Sequence, residues 1–584
     1  MRKKIFDLTE QAACTKHWPA WLVRFAEDCL GFTVFNRTHD SIEADLENNS
    51  PDNFFRLACK YIPLNYDVEG LENIPKEGSC VIVCNHPHGM SDGLMFGDAV
   101  MRVRSDVRII CNEWLNYVRA MRPYTIQVDV YGGDAAKRAN MRGMRDTIKW
   151  LREGHCILVF PSGSAATFSC RDARVIDDPW QTNIASIIRK TGATVVPMNI
   201  SGRTGILFQI VSLLAKPYRA ALLAREIKRD RRMHHRLVLG KAISPNTISQ
   251  LPDDEALSDY LRLSSMLLRY PLAAPTLTTP ERKMEPIDPP EDAEVLQREL
   301  DACAEDILYS NDSSGLVVYA LEAAKVPRLM HEIGVQRERT YRAVGEGSGK
   351  ACDLDAYDEH YVHLVMWDSR KRALAGAYRM GRTDHIVQTR GRKGIYNSLF
   401  FHLCRRLIRT LGNGLEMGRA FITAPYQRMP ASLDTLWMGI GRFINKHPEY
   451  RYLYGTVSIS QNYTPASRSL MLSYLRQHAM EPGLSRYIHA YEPPRALEIG
   501  LRSQDRRLLT RALPELKFLN TQVSALEPDG KGIPVLLRQY LRLGGRMVAF
   551  NVDSDFGDTL DCFVVVDLEH APKRLLDRYC GKNA

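Results

Sequence analysis

Apolar runs alternate with helical patterns through the first half of the chain. Short runs such as SCVIVCN (79–85), HCILVF (155–160) and TVVPMNI (194–200) are typical of buried strands. The segment KRANMRGMRDTIKWLREG (137–154) has the spacing of an amphipathic helix. This alternation predicts an α/β domain in which crossover helices join the strands of one sheet.

The second half has a mixed pattern. HYVHLVMWD (360–368), RALAGAYRM (372–380) and RMVAFNV (546–552) predict strands. SLFFHLCRRLIRTLG (398–412) and LDTLWMGIGRFINKHP (433–448) predict helices. We therefore expect an α+β domain here.

A proline-rich stretch separates the two halves. Residues 271–292 hold six prolines and little apolar periodicity, which predicts an extended linker. The linker divides the chain into a domain over 1–270 and a domain over 293–584. The charged, irregular segment 492–533 is interpreted as an insertion or a mobile flap.

Composition gives a broad class for this chain of 584 residues. Apolar residues make up 45% and charged residues 25%, as in ordinary globular proteins. Thirteen cysteines without a C-x-x-C pair fit reduced thiols in a cytoplasm. The beginning of the chain does not have the pattern of a signal peptide. No apolar run reaches the roughly 20 residues that a bilayer span needs.

The net charge of +10 is unevenly distributed. Residues 1–100 carry 9 Lys and Arg against 15 Asp and Glu, whereas residues 101–250 carry 25 against 11. The basic run REIKRDRRMHHR (225–236) follows the apolar run GILFQIVSLLA (205–215). This pairing fits a membrane-surface contact, and it also fits a core helix followed by a solvated basic helix. No motif for nucleic-acid recognition accompanies the basic run.

The stretch NHPHGMSDG (85–93) follows a predicted strand and concentrates reactive groups in a turn. His86, His88 and Asp92 could belong to a metal-dependent hydrolase, but such a site needs more ligands, and His155 is the one further histidine between residues 89 and 233. Alternatively, His86 is a general base that Asp92 orients across the turn. An ordinary polar turn is the third interpretation.

Three later blocks favour the general base. Four blocks, in their order along the chain, resemble the glycerolipid acyltransferase family. They are NHPHGMSDG, YGGDAAKRAN (131–140), VFPSGSAAT (159–167) and VVPMNISGR (195–203). Five residues separate His86 from Asp92, one more than is usual in that family. The form Asn-His-Pro-x-Gly-x-x-Asp-Gly resembles the subgroup that O-acylates lyso-aminolipids, including lyso-ornithine lipid. The third block has Ser-Gly-Ser-Ala where Glu-Gly-Thr-Arg is usual, which suits an acceptor without glycerol phosphate.

This resemblance implies a mechanism and a set of site residues. His86 deprotonates the acceptor hydroxyl, Asp92 orients the imidazole, and the hydroxyl attacks an acyl thioester. Backbone N–H groups of the glycine-rich turn are candidates to stabilise the oxyanion. His88 is the alternative base if the longer spacing shifts the geometry. In the family the block that holds Pro161 and Gly163 shapes the acceptor and acyl sites, so both are implied substrate-binding positions. Lys137 and Arg138 could bind an acceptor carboxylate or a carrier's phosphate, or they could belong to a solvated helix start.

Polar residues recur at fixed offsets in the second half. The pairs are Arg337 with Tyr341, Asp355 with Asp358, Gly376 with Arg379, and Glu416 with Arg419. They resemble the acyl-homoserine-lactone synthases and, more closely, the haemolysin-like amino-acid N-acyltransferases of ornithine lipid synthesis, which are GNAT-like proteins. An ion-pair network that only supports the fold would give a similar pattern.

The second resemblance also implies roles. Glu416, directly or through a water, accepts the proton of the attacking amine. Arg337, Arg379 and Arg419 bind the amino acid's carboxylate or hold Glu416. We further predict that Asp355 and Asp358 face a cationic side chain such as that of ornithine.

Together the two halves resemble bifunctional ornithine lipid synthases. The second domain would N-acylate ornithine with a 3-hydroxyacyl group from acyl carrier protein, and the first would O-acylate the resulting lyso-ornithine lipid. We expect no bound cofactor or metal, an acyl thioester as co-substrate, and peripheral attachment to the cytoplasmic face of the inner membrane. Glycine, glutamine and lysine remain open as the amino acid. A metal-dependent hydrolase and a haemolysin-like membrane-active protein are the alternatives.

Overall fold

In a computed structural model the chain divides into two compact units. The first comprises Met1–Leu272 and Leu501–Leu526, and the second comprises Ala273–Gly500 and Glu527–Ala584. The structure describes residues 17–47, 53–112, 115, 118–128, 134–171, 173–214, 219–270, 284–494, 503–554 and 557–581, without the side chains of 134–139, 219–221 and 503–506. Residues 271–283 of the predicted linker lie outside these ranges.

A mixed sheet forms the centre of the first unit. Its strands are β1 (Asn65–Glu69), β2 (Cys80–Cys84), β3 (Val107–Asn112), β4 (Thr125–Val128), β5 (Cys156–Val159), β8 (Thr194–Ile200) and β9 (His234–Leu239), while β6 (Thr167–Ser169) and β7 (Arg174–Ile176) form a separate hairpin. In the described residues the order is β1-β9-β8-β2-β5-β3-β4. The five strands from β8 to β4 run parallel, and β9 and β1 run in the opposite direction. Strands β2 and β5 are buried along their whole length, as expected of a sheet covered on both faces.

Helices of the first unit cover this sheet. They are α1 (Ala20–Leu30), α2 (Phe32–Glu47), α3 (Phe54–Tyr61), α4 (Met90–Met101), α5 (Asp134–Arg152), α6 (Thr182–Thr191), α7 (Ile206–Leu214), α8 (Arg219–Asp230), α9 (Pro245–Ser249) and α10 (Asp254–Leu267). Side-chain caps define several of their starts, for example Asn53 before α3 and Asp253 before α10. Across the described ranges, no helix combines the length and apolar character required to traverse a bilayer.

The second unit is built on a larger sheet. Its strands are β10 (Ile307–Asn311), β11 (Leu316–Glu322), β12 (Val362–Asp368), β13 (Ala373–Arg382), β15 (Gly414–Ile422), β16 (Tyr452–Ile459), β18 (Arg546–Asp553) and β19 (Thr559–Asp567), and β14 (Phe401–Leu403) pairs separately with β17 (Ile488–Ala490). The described order is β10-β11-β12-β13-β15-β16-β19-β18. Neighbours are antiparallel except β15 and β16, which run parallel. The α/β first unit and α+β second unit confirm the predicted fold class.

The helices after residue 292 are divided between the two units. They are α11 (Ala293–Asp301), α12 (Pro327–Arg342), α13 (Thr383–Arg390), α14 (Arg405–Thr410), α15 (Pro430–Lys446), α16 (Pro465–His478), α17 (Pro482–Ser485), α18 (Ser503–Ala512), α19 (Leu516–Leu526), α20 (Val535–Arg542) and α21 (Lys573–Tyr579). Helices α18 and α19 are part of the first unit, where Arg511 forms an ion pair with Asp259 of α10 at 2.6 Å. The described part of 492–533, predicted as an insertion or a mobile flap, thus contains two helices.

One predicted helix differs in the structure. The segment 398–412 was expected to be a single helix, but Phe401–Leu403 forms strand β14 and only Arg405–Thr410 is α-helical. Phe401 and Leu403 are buried while His402 between them is exposed. This local alternation is the period of a strand, and pairing with β17 outweighs the helical pattern around it.

Candidate active sites

The first polar cluster lies at the carboxyl edge of the parallel strands. His86 follows β2, Pro161 follows β5 and Ser201 follows β8, and these three strands are neighbours in the sheet. Ligands of open α/β sheets bind beside the carboxyl ends of the strands. The topology therefore brings together three of the four sequence blocks.

His86 and Asp92 form a hydrogen-bonded pair. The distance from His86 Nδ1 to Asp92 Oδ2 is 3.0 Å, which is hydrogen-bonding distance. Asp92 is fully buried, whereas the His86 side chain is 18% exposed. Asp92 Oδ2 also accepts the backbone N–H groups of His88 at 2.7 Å and Gly89 at 2.9 Å. Since these bonds fix the carboxylate, it can hold the imidazole in one orientation.

The longer spacing is accommodated by Gly89 and the start of α4. Gly89 has a φ of +80°, a conformation that favours glycine, and it precedes α4 as its N-cap. Asp92 is the third residue of α4, and its carboxylate accepts the Gly89 N–H, which satisfies a free donor at the start of the helix. The turn therefore folds back far enough for Asp92 to reach His86.

Phe160 and Asp177 also contact His86. Its ring stacks on Phe160 with centroids 4.1 Å apart, and its backbone N–H donates to Asp177 Oδ1 at 3.2 Å. Burial raises the pKa of Asp177, while the bond from His86 and one from Trp180 act against that rise. Asp177 was missed in the sequence because it lies 91 positions from His86 and outside the four blocks.

His88 is held in a separate buried pair. Its Nδ1 lies 3.0 Å from Asp230 Oδ1, and its Nε2 lies 2.9 Å from the Ser201 carbonyl. Burial lowers the pKa of His88, but Asp230 and Asp92 outweigh this and raise it to about 9. Both ring nitrogens are engaged and the ring is fully buried, so this geometry does not favour His88 as the alternative base. Asp230 carries no motif that identifies it in the sequence.

The structure describes Pro161 and Gly163 in full, but it describes only the backbone of the other two predicted residues of the first unit. Pro161 is buried, and its carbonyl accepts the Gln181 N–H at 3.0 Å. Gly163 has a φ of +67° and donates to the Phe160 carbonyl at 3.0 Å, closing a tight turn at the end of β5. Lys137 and Arg138 belong to α5, but their side chains lie outside the described residues.

A basic cavity of about 770 Å³ adjoins the first residues of β1 and β9 and the end of α4. Its cationic walls are Arg56, Lys60, Arg102, Arg231 and Arg232, and Asp98 lies among them. Such a lining suits an anionic group.

The second polar cluster is an ion-pair network in the second unit. Arg337 of α12 donates to Asp353 Oδ2 at 3.0 Å and to Asp358 Oδ2 at 2.8 Å. Arg379 of β13 donates to Asp355 Oδ1 at 2.7 Å. Burial raises the pKa of Asp358, but Arg337 and Arg379 outweigh this and hold it well below its usual value. The predicted arginines and aspartates therefore meet, and Asp353, which was not predicted, joins them.

Arg419 enters the same network from a bulge in β15. The pairing of β13 with β15 shifts between Ala377 and Arg379, and Arg419 has a φ of +50°. Bulges of this kind redirect a side chain. Arg419 Nη1 lies 3.1 Å from Asp353 Oδ2, and its guanidinium lies 5.3 Å from the Tyr396 ring centroid. A non-glycine residue in this strained conformation marks a functional candidate.

Glu416 is surrounded by hydrogen-bond donors of its own. Oε1 accepts the Asn397 N–H at 2.7 Å and Asn397 Nδ2 at 2.6 Å, while Oε2 accepts the Tyr396 N–H at 3.0 Å and the Tyr361 hydroxyl. Glu416 is 1% exposed, and burial raises its pKa against these bonds. The described contacts thus place tyrosines and Asn397 around it rather than the arginines, and its role as proton acceptor stays a prediction.

Removing one cation from the network should unfold the second unit more easily. Arg337→Met leaves the buried Asp353 and Asp358 without their main partner, which typically costs about 3–5 kcal/mol. Urea unfolding should show this loss. Arg339→Met, at an exposed residue of the same helix that contacts the neutral Gln336 at 3.5 Å, should change the free energy of unfolding by less than about 1 kcal/mol. An Arg337→Met variant as stable as Arg339→Met would contradict a network that supports the fold.

Metal ligation was the other interpretation of the first cluster. Among the residues that the structure describes, no group of three or more His, Cys, Asp and Glu side chains is arranged to hold a metal ion.

Comparison with known proteins identifies the chain as an acyltransferase. The family described as "Acyltransferase" matches residues 8–228, and the "Acetyltransferase (GNAT) domain" matches residues 336–438. Glycine N(alpha)-acyltransferase from Bacteroides thetaiotaomicron is 30% identical over 305 residues, which cover 49% of this chain and 87% of that protein. The chain belongs to the family of this N-acyltransferase.

Two further relatives match the chain. Lyso-glycine lipid O-acyltransferase from Phocaeicola vulgatus is 24% identical over 241 residues, covering 39% of this chain and 82% of that protein. L-ornithine N(alpha)-acyltransferase from Brucella abortus is 24% identical over 271 residues, covering 44% of this chain and 85% of that protein. Relatives named for N-acylation and for O-acylation thus each match less than half of this chain.

Proposed function

We propose that this chain makes an aminolipid by two acyl transfers in sequence. The second unit N-acylates an amino acid with a 3-hydroxyacyl group, and the first unit then esterifies the new hydroxyl. The observation that carries this proposal is the His86–Asp92 pair in a chain that matches both an N-acylating and an O-acylating relative over most of their lengths. Both donors are acyl thioesters, carried by acyl carrier protein.

The O-acylation follows from the geometry of the first unit. The acceptor hydroxyl gives its proton to His86 Nε2 and attacks the thioester carbonyl, so the C–O bond forms as the C–S bond breaks. Asp92 on Nδ1 supports the imidazolium formed during this step. The thiol leaves with a proton, and no covalent acyl-enzyme is needed. Pro161 and Gly163 shape the turn beside His86, and Lys137 and Arg138 are proposed to bind anionic parts of the substrates.

The arginine network of the second unit suits an amino acid's carboxylate. Arg379 is 1% exposed, and its Nε and Nη2 have no hydrogen-bond partner among the described residues. A buried cation with unused donors is a ready partner for a carboxylate. Arg419, which is 13% exposed, lies beside it on the Tyr396 ring.

The charges of the network favour glycine over ornithine as the amino acid. Asp353, Asp355 and Asp358 are each within 3.1 Å of an arginine nitrogen, so the network offers no unpaired carboxylate for a second ammonium group. Four relatives of this chain are named for glycine or its lipid. Ornithine, for which another relative is named, is the second candidate.

Lipid analysis tests the function and the amino acid together. The chain would be expressed in a host without aminolipids, fed with ¹⁵N-glycine or ¹⁵N-ornithine, and its lipids analysed by mass spectrometry. We expect a mono-acylated and a di-acylated amino acid that take their label from glycine. Label from ornithine alone would overturn the choice of glycine, and the absence of any new amino-acid lipid would overturn the function.

We further propose that the first unit binds the membrane surface peripherally. Helices α1 and α7 both pack against α8 and expose large apolar side chains, namely Trp21, Phe25, Ile206, Ile210 and Leu214. The basic residues Arg225, Lys228, Arg229, Arg231 and Arg232 lie in α8 or directly after it. Apolar side chains beside cations suit a bilayer with anionic headgroups.

Negative charges introduced among the exposed apolar side chains of α7 should weaken binding to the membrane surface. Ile206 is 78% and Leu214 82% exposed, and burying each in a bilayer is worth about 1.5–3 kcal/mol. The double change Ile206→Glu and Leu214→Glu should therefore lower co-sedimentation with phosphatidylglycerol vesicles by more than about tenfold. Val535→Glu, at a residue 54% exposed in the second unit, is the matched control and should bind like the unchanged protein. Equal binding by all three proteins would refute this membrane face.

A further inference from the structure

His88 connects the turn that carries His86 to two other elements of the first unit. Its side chain is fully buried between Asp230, the last residue of α8, and Ser201, the residue after β8. Its Nδ1 lies 3.0 Å from Asp230 Oδ1, and its Nε2 lies 2.9 Å from the Ser201 carbonyl oxygen. The ring is therefore anchored on both of its nitrogens.

Both atoms that face these ring nitrogens are hydrogen-bond acceptors. A carboxylate oxygen and a carbonyl oxygen have no proton to donate, so each nitrogen of His88 has to carry one, and the ring is an imidazolium cation. The Asp230 carboxylate fits this charge, because it is fully buried and, among the described residues, has no other ion pair and accepts no other hydrogen bond. The two side chains thus form a buried ion pair.

The space around the ring leaves it little freedom. A Cβ atom at Gly202 would lie 2.4 Å from His88 Nε2, so a side chain has no room there, and Gly202 has a φ of +111°. The His235 ring of β9 meets the His88 ring nearly at right angles, with centroids 4.7 Å apart. His88 is therefore held against its two partners.

The backbone of His88 contacts the catalytic pair. Its N–H donates to Asp92 Oδ2 at 2.7 Å, and the same oxygen lies 3.0 Å from His86 Nδ1. Because the anchored ring fixes His88, it also fixes the direction of this N–H. The N–H in turn holds the carboxylate oxygen that orients His86.

We propose that His88 and Asp230 are a positioning pair for O-acylation, in which the anchored imidazolium holds Asp92 and thereby keeps His86 in the geometry for proton transfer. This inference rests on the function proposed above, in which His86 is the base. Both side chains are fully buried, so they act through Asp92 rather than on the substrates. The pair works only while His88 keeps both ring protons.

The pH range of this cation follows from the groups that face it. They are Asp92 of α4, Asp230 of α8 and His235 of β9, while the β8 side presents the Ser201 carbonyl. Burial lowers the pKa of His88, but the two carboxylates outweigh this and raise it to about 9. Burial and the positive charge of His88 lower the pKa of His235. His88 should therefore be a cation below about pH 9 and lose one proton above it.

The pH dependence of O-acylation tests the pair. The purified full chain would be given a synthetic mono-acylated amino acid and the acyl thioester of acyl carrier protein, and kcat and KM would be measured from about pH 6 to 10, corrected for uncatalysed thioester hydrolysis. The unchanged protein should lose kcat above about pH 9, where His88 loses a proton. A kcat that stays constant to pH 10 would overturn the inference, because a general base alone remains deprotonated there.

Asp230→Asn separates positioning from support of the fold. The amide oxygen still accepts from Nδ1 but carries no charge, so the pKa of His88 falls. The alkaline limb should move down by at least about one pH unit and kcat at pH 8.5 should fall at least about threefold, with KM for both substrates within about threefold. Asp230→Glu keeps the charge and should keep the limb near that of the unchanged protein. A pair that only supports the fold would lower the melting temperature and leave the shape of the profile unchanged.

Asp67→Asn is the matched control. Asp67 pairs with His234 at 2.8 Å in the same unit, but both side chains are exposed, so rate and profile should not change. An unmoved limb in Asp230→Asn, or an equal shift in Asp67→Asn, would overturn the inference. An unchanged protein that does not acylate the supplied intermediate would instead overturn the proposed function.

NMR of the unchanged protein gives a second readout that needs no variant. With ¹⁵N-labelled histidine, one ring should still show two protonated nitrogens at about pH 8.5, where ordinary histidines with a pKa of about 6.5 have lost one proton. The absence of any imidazolium signal at that pH would contradict the buried cation, whether or not Asp230→Asn folds.

Discussion

His86→Ala should stop the second acylation and leave the first intact. The host should then accumulate the mono-acylated amino acid, because the imidazole that takes the hydroxyl proton is gone while the arginine network is unchanged. General-base catalysis contributes about 10²–10⁴ to a rate, so we expect the O-acylation rate to fall at least a hundredfold. Quantitative mass spectrometry of the two lipids, together with a purified assay on the mono-acylated substrate, measures this loss.

A matched histidine separates catalysis from stability in that experiment. His155 forms a similar pair with Asp106, at 3.1 Å, but it precedes β5 and so lies at the opposite edge of the sheet from His86. His155→Ala should leave the ratio of the two lipids within about twofold of normal. If His86→Ala also abolishes N-acylation, or if His155→Ala matches its effect, the assignment of the second acylation to His86 is wrong.

Glu416→Ala should remove both lipids. The change deprives buried donors of Asn397, Tyr396 and Tyr361 of their acceptor, and an unsatisfied buried donor costs about 1–3 kcal/mol. The site that holds these groups against the arginine network would then be lost, and without N-acylation the first unit has no substrate. We expect at least a hundredfold loss of N-acylation by mass spectrometry.

Supplying the intermediate distinguishes the two units. A synthetic mono-acylated amino acid should still be O-acylated by the Glu416→Ala protein, since the His86–Asp92 pair is untouched. Asp368→Asn is the control, because Asp368 is another buried carboxylate of the second unit and accepts the Tyr426 hydroxyl at 2.8 Å. It should keep N-acylation within about threefold. Glu416→Ala retaining normal N-acylation would show that Glu416 is not needed in the site.

The parts of the sites that could be predicted from the sequence involve residues that are close together in the chain. His86 and Asp92 are six positions apart, and a glycine-containing turn before a helix was enough to predict that they could meet. The same holds for the α/β and α+β fold classes, which follow from the periods of apolar residues. An ion-pair network was one interpretation of the recurring arginines and acids of the second half, because a buried guanidinium requires a carboxylate partner.

What could not be predicted depends on long-range geometry. Asp177, which follows β7, and Asp230, the last residue of α8, reach the histidines from distant parts of the chain, and nothing in their neighbouring residues indicates this. The bulge that directs Arg419 appears only in the pairing of β13 with β15. Asp353, by contrast, stands two positions before Asp355, so a count of acids against arginines would have included it.

The placement of α18 and α19 has a consequence for how this protein can be dissected. These helices come late in the chain yet complete the first unit, where Phe518 meets the ring of Tyr260 with centroids 6.2 Å apart and Gln522 donates to Ser264. A truncation at residue 292 would remove them and expose the apolar side of α10. The two catalytic halves are thus interleaved in one polypeptide, and no single cut can release either half whole.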